Sequence, residues 1–83
     1  MPGNKEIELR FTYHRPEPHQ IPKYELVRNR GREFANLLND MCPDSPELET
    51  AINKIEEAVM WANAAIARRF DKGSKDRVTK VER

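Results

Sequence analysis

Cysteine is almost missing from this chain. Its one cysteine, Cys42, excludes an intramolecular disulfide and any zinc site built from several thiolates. Histidine is nearly as scarce: His14 and His19 both fall in a proline-rich stretch and make a poor basis for a metal site. No apolar run approaches the roughly 20 residues that span a bilayer, so a membrane partner is not expected. The opening MPGNKEIELR holds no apolar signal core, and the chain is expected to stay in the cytoplasm where it is made. A charge surplus is missing too. With 15 basic and 14 acidic residues the net charge is +1, whereas duplex nucleic acid asks for clustered positive charge.

Catalytic signatures are equally thin. No glycine-rich phosphate loop precedes a helix, and there is neither a nucleophile elbow nor a His-x-x-x-His pair. Glu56 and Glu57 are neighbours on a helix and so point about 100° apart, which suits a solvated or salt-bridged face better than an acid/base pair. Cys42, next to Pro43 at a helix end, reads as a small packed residue and not as a nucleophile. Neither an enzyme nor a cofactor is expected.

What the chain does have is one very apolar block. The segment Ala58–Ala67, AVMWANAAIA, contains a single polar residue, Asn63. On a helix, Val59, Ala62 and Ile66 fill one face, while Ala58, Trp61 and Ala65 take up another. A surface helix buries one stripe and wets the rest, so a helix apolar on most sides must be covered on most sides. At 83 residues the chain is one domain (1–83), near the size where a single core only just supports folding. The covering material is therefore expected to be further copies of the same chain.

Four segments follow in order. Residues 6–13, EIELRFTY, alternate apolar and polar side chains, which reads as an extended arm or edge strand, with a short helix as the alternative. Residues 14–22, HRPEPHQIP, form a stiff linker with three prolines. A first helix is expected over 22–41, with Tyr24, Val27, Phe34, Leu38 and Met41 on its seam and Gly31 at a skipped position. A glycine there costs about 0.5–1 kcal/mol relative to alanine, so a close approach by another backbone or by a ligand is one reason for it. Cys42-Pro43 stops this helix.

A second, longer helix is expected over 46–70. Its start is marked either by Asp44 with Glu47 three residues on, or by Ser45 followed by Pro46. Its seam is Leu48, Ile52, Ile55, Val59, Ala62, Ile66 and Phe70, at alternating steps of four and three. From 71 onward the chain has almost no apolar content and reads as a mobile tail. The fold class is thus all-α: an antiparallel helical hairpin with an N-terminal arm, assembled as a homo-oligomer.

Three features point to a small anionic ligand. Tyr13-His14-Arg15-Pro16 sets an aromatic ring, an imidazole and a guanidinium ahead of a rigid turn, and flat rings stack on purine bases. Tyr13 would equally well end the apolar side of the arm. Lys23, Arg28, Arg30 and Arg32 crowd the first half of the first helix, where free N–H groups and the helix dipole attract phosphate. For Arg32 the plainer reading is a charged face balanced by Glu25 and Glu33. Arg68 and Arg69 follow the apolar block, where copies related by symmetry could converge on one anion; cations at a helix C-terminus are also common for their own sake.

Three stretches carry a resemblance: KIEEAVMWANAAIAR (Lys54–Arg68), CPDS (Cys42–Ser45), and YH-x-P (Tyr13–Pro16) with KY-x-x-x-R (Lys23–Arg28). Over residues 6–69 the chain resembles the phage anti-CBASS sponge family, related to the Thoeris anti-defence proteins that share its hairpin domain. The resemblance implies a small helical protein, typically a hexamer, without catalytic activity. It would act in the host cytoplasm, binding the cyclic nucleotide messengers of bacterial defence and holding them away from their effectors. It also implies two pockets, one for cyclic dinucleotides and one for cyclic trinucleotides at a threefold-type junction. By motif, Tyr13 would stack on a base in the first, with Arg28 covering the ligand and Lys23 nearby. Arg68 or Arg69 would hold phosphates in the second. The family continues with a small polar residue where this chain has Arg69-Phe70, which leaves open which arginine faces the axis. The alternatives are a sponge for cyclic ADP-ribose-type signals and a purely structural oligomerisation module.

Overall fold

A computed structural model describes residues 3–69. It contains three helices, α1 (Asn4–Phe11), α2 (Ile21–Met41) and α3 (Pro46–Arg68), and no strand among the described residues. The expected seam position Phe70, and the tail from 71, lie outside the described residues. Helices α2 and α3 form an antiparallel hairpin: Gln20 at the start of α2 meets Ile66 at the end of α3, and Gly31 faces Ile55 and Val59 at mid-length.

The arm is the main correction to the sequence reading. Residues 4–11 are helical, not extended, although apolar and polar residues alternate there. A lone strand would leave its N–H and C=O groups without a ladder, and no described strand is there to pair with. The helix instead pairs its own groups and adds local support. Glu6 and Arg10, four apart, form an ion pair at 2.8 Å. Two side chains then finish α1: the Thr12 hydroxyl donates to the Glu8 carbonyl at 2.6 Å, and His14 Nε2 donates to the Leu9 carbonyl at 2.8 Å. Alternation along a helix scatters apolar groups, since Ile7 and Leu9 point about 200° apart. Phe11 is accordingly left 85% exposed.

The turn between the long helices uses the second of the two expected caps. Ser45 is the N-cap of α3, and its hydroxyl accepts from the Leu48 N–H at 3.1 Å, with Pro46 in the first turn. Glu47 and Glu49 add negative charge to that turn, which suits the positive end of the helix dipole. Cys42 caps α2 with its backbone N–H on the Leu38 carbonyl, and its side chain is exposed instead of packed.

Gly31 explains how closely the hairpin packs. A Cβ placed there would come within 2.5 Å of Val59 Cγ2. The approaching group is a side chain of α3, and a valine on a helix has essentially one rotamer to offer. The start of α2 is held in another way. Gln20 is buried; its amide donates to the Ile66 carbonyl at 3.0 Å and its Oε1 accepts from the Glu17 N–H at 2.9 Å. Ile66 is among the last residues of α3, whose carbonyls lack helical partners, so Gln20 supplies a donor the helix cannot.

Leu48 alone among the described hydrophobic residues is buried, and it keeps 7% of its surface exposed. Two positions expected on the seam are open: Phe34 is 52% exposed and Met41 74%. Phe34 borders an apolar groove with Val27, Ala58 and Val59, and one copy of the chain leaves that groove uncovered. Trp61 is 60% exposed. A hairpin has one inner face, and α3 carries more apolar surface than α2 can cover.

Gly31→Ala is expected to lower stability by about 1–3 kcal/mol, the usual cost of overpacking, although alanine is the better helix former. Thermal unfolding of the single variant and of Gly31→Ala with Val59→Ala checks this, the second change restoring most of the loss.

Candidate functional site

The end of α3 lies beside α1, and the two border an open cavity of about 490 Å³ lined by Arg10, Phe11, Trp61, Ala64, Arg68 and Arg69, among others. That volume is within the range of small-ligand pockets. Its composition follows from helix geometry. Trp61, Ala64, Ala65 and Arg68 recur at steps of three and four, which puts them on one face of α3, and the alanines open space that larger side chains would fill. Arg10 and Phe11 arrive from the last turn of α1. The cavity therefore joins two large aromatic rings to three guanidinium groups.

One carboxylate holds the two walls together. Glu6 of α1 accepts a fork from Arg69, with Nη1 to Oε1 at 3.0 Å and Nη2 to Oε2 at 2.6 Å. The same Oε2 accepts from Arg10 Nε at 2.8 Å. Arg69 and Arg10 together lower the Glu6 pKa from 4.5 to about 2, and Glu6 in turn raises that of Arg69. Arg68 has no ion pair or hydrogen bond among the described residues, and its side chain is half-buried.

The other expected site residues lie elsewhere. Tyr13 is 81% exposed on the connector between α1 and α2 and is not part of this cavity. His14 caps α1 and borders a shallow cleft with Lys5, Glu8 and Thr12. Lys23 and Arg28 stand on the first turns of α2, Arg28 exposed and Lys23 half-buried with an interaction partner. Arg30 pairs with Glu33 at 3.4 Å and sits on the rim of the apolar groove, away from Arg68. The single chain thus brings Arg68 and Arg69 together, and does not gather Tyr13, Lys23, Arg28 and Arg30 with them.

Glu6, Arg10 and Phe11 were not foreseen as site residues. Their signal was present in the spacing: Glu6 and Arg10 stand four apart, which is an ion pair on a helix and opposite ends of one strand face otherwise. Gln20 gave no sequence signal, because its role depends on where α3 ends. One further atom stands out. The Asn63 Oδ1, inside the apolar block of α3, is buried and lacks a hydrogen-bond partner among the described residues.

Comparison with known families now bears on this arrangement. The family model described as "Acb2/Tad1, hairpin domain" matches residues 4–67. The chain belongs to that family, the family of anti-CBASS sponge and Thoeris anti-defence proteins. The match includes α1 as well as the α2/α3 hairpin. No curated protein and no solved structure matches the chain. Among the described residues, no helix is long and apolar enough to cross a membrane, and no cluster of His, Cys, Asp and Glu could hold a metal ion.

The Glu6 tie makes a pH prediction. A carboxylate with a lowered folded-state pKa contributes stability above its unfolded pKa, and that contribution is lost as pH falls through the folded value. For Glu6 the window runs from about 4.5 down to about 2. A carbon NMR titration of the Glu6 carboxyl is expected to show a midpoint near 2 in the native chain, returning toward 4.5 in Arg69→Ala.

Proposed function

We propose that this protein binds and sequesters cyclic oligonucleotide messengers, cyclic dinucleotides and trinucleotides, without cleaving them, and so keeps CBASS effectors inactive. The observation that carries this reading is the α1/α3 cavity, where Trp61 and Phe11 flank Arg10, Arg68 and Arg69 in a chain of the anti-defence sponge family. Cyclic oligonucleotides carry flat bases and one negative charge per phosphate. Aromatic faces stack on bases at ~1–3 kcal/mol each, and guanidinium forks match phosphate oxygens. The side chains around the cavity are three cations, two aromatics and two alanines, none of which is a general base at neutral pH. Glu6, the nearby carboxylate, is already held by two arginines. Binding without bond-breaking fits that chemistry.

The same reading makes the working form a homo-oligomer, a hexamer by family resemblance, acting in the host cytoplasm. Exposed Phe34, Met41, Met60 and Trp61 give one hairpin a large uncovered apolar surface, and tryptophan is a frequent anchor of protein interfaces. The buried Asn63 Oδ1 lacks a donor that a neighbouring chain could supply. Assembly would also set Tyr13, Lys23 and Arg28 of different copies beside one another, since within one copy they do not line the α1/α3 cavity with Arg68. Self-association and capacity then go together, because every added copy adds sites.

A second reading follows from the family itself, which includes Thoeris anti-defence proteins: a cyclic ADP-ribose derivative offers the same pairing of base and phosphate. Calorimetry against cyclic dinucleotides, cyclic trinucleotides and cyclic ADP-ribose separates the two. A purely structural module would bind none of them.

Heat denaturation of a loaded sample is expected to return the ligand intact, whereas a hydrolase would return linear products. Tyr13→Ala is expected to weaken cyclic dinucleotides tenfold or more, the loss of about one stacked base, while the solution mass stays that of the oligomer. Arg68→Ala is expected to weaken trinucleotides selectively. Equal losses for both ligand classes would contradict two separate sites.

A further inference from the structure

Two of the three guanidinium groups around the α1/α3 cavity are already engaged by a carboxylate. Arg69 forks onto both oxygens of Glu6, and Arg10 shares Oε2. A guanidinium fork fits carboxylate and phosphate with the same geometry. The Glu6 carboxyl therefore sits in the seat on Arg69 that two phosphate oxygens would take. Arg68, one residue earlier, borders the same cavity with no such partner among the described residues.

We propose that Glu6 is an internal competitor that determines which anions this cavity accepts. It withholds Arg69 and Arg10 from a ligand and leaves Arg68 as the open guanidinium. A ligand that needs one phosphate contact binds without disturbing the cluster. A ligand that needs several must first displace the Glu6 carboxylate. The Glu6 side chain is about a quarter exposed and those of Arg10 and Arg69 about half, so displacement is within reach of a bound phosphate. Pairs this exposed are held weakly, and the competition is worth roughly threefold to tenfold in affinity. The inference rests on the reading that this cavity takes a phosphate-bearing ring.

The test is a calorimetric titration of cyclic triadenylate into the full chain at two salt concentrations, comparing native, Glu6→Gln, Arg69→Ala and the double variant. Glutamine keeps a hydrogen-bond acceptor for the guanidinium groups while removing the charge, and helical circular dichroism confirms that each variant is folded. The expected result is that Glu6→Gln binds about threefold to tenfold more tightly and with steeper salt dependence. That gain should shrink when Arg69 is also replaced, because the competitor then has only Arg10 left to withhold. Binding by Glu6→Gln where the native chain binds nothing would support the proposal equally. If native chain and Glu6→Gln bind alike, or Glu6→Gln binds more weakly as a mere tether would require, the competitor role is overturned while the sponge reading stands. A gain left undiminished by Arg69→Ala also overturns it, since net charge alone would then explain the effect. If no variant binds, the reading of this cavity as a site for a trinucleotide ring falls and this inference with it.

Discussion

The contact of Val59 with Gly31 is the constraint on which the rest of the structure depends. With a Cβ on residue 31 the two groups would overlap at 2.5 Å, so the hairpin can close this far only because that atom is absent. The axis of α3 is thereby brought close to α2, and its C-terminal end is set beside the start of α2. There Gln20 meets the Ile66 carbonyl, a polar contact that has to be made because the carbonyl is otherwise without a helical donor. A glycine that weakens an isolated helix thus strengthens the pair.

The far end of α3 is where the hairpin meets α1. Three connections converge within its last turn: Gln20 on Ile66, Glu6 on Arg69, and the face that presents Trp61, Ala64 and Arg68 to the cavity. The first locks the hairpin, the second brings α1 across, and the third makes a space with aromatic walls and positive charge. Helix α1 is short, and eight residues in isolation would be marginal as a helix. Its ion pair to the end of α3, together with the Thr12 and His14 caps, supplies what its own length does not. The cavity is consequently a property of the tie between α1 and α3, and not of either helix.

Much of the hairpin could be read from residue order because its causes are local. Pro22, Ser45 with Pro46, and Cys42-Pro43 bracket two periodic segments, and each acts within a turn of its own position. The excess apolar surface of Ala58–Ala67 was equally legible, since a circumference of alanines with a tryptophan is visible without coordinates. The arm, readable as a strand or a short helix, leans toward the strand for a related reason, and the structure takes the helix. Alternation signals a strand only where a partner strand exists, and the Glu6/Arg10 spacing carried the more telling information. Of the candidate residues, Arg68 and Arg69 are neighbours in sequence and remain so in the cavity. Tyr13 lies on the connector and Lys23, Arg28 and Arg30 on α2, and none of them lines the cavity beside α1.

Sequence alone determined the two long helical segments, the turn between them and the surplus of grease on α3, because capping, proline geometry and hydrophobic period all operate over a few residues. The tertiary structure decided which groups became partners over long distances. Glu6 meets Arg69 across 63 positions and Gln20 meets Ile66 across 46, and no local rule couples residues that far apart. It also decided the fate of two adjacent arginines. They differ by one step of 100° around α3, and that rotation gives one to a carboxylate and leaves the other open to the cavity.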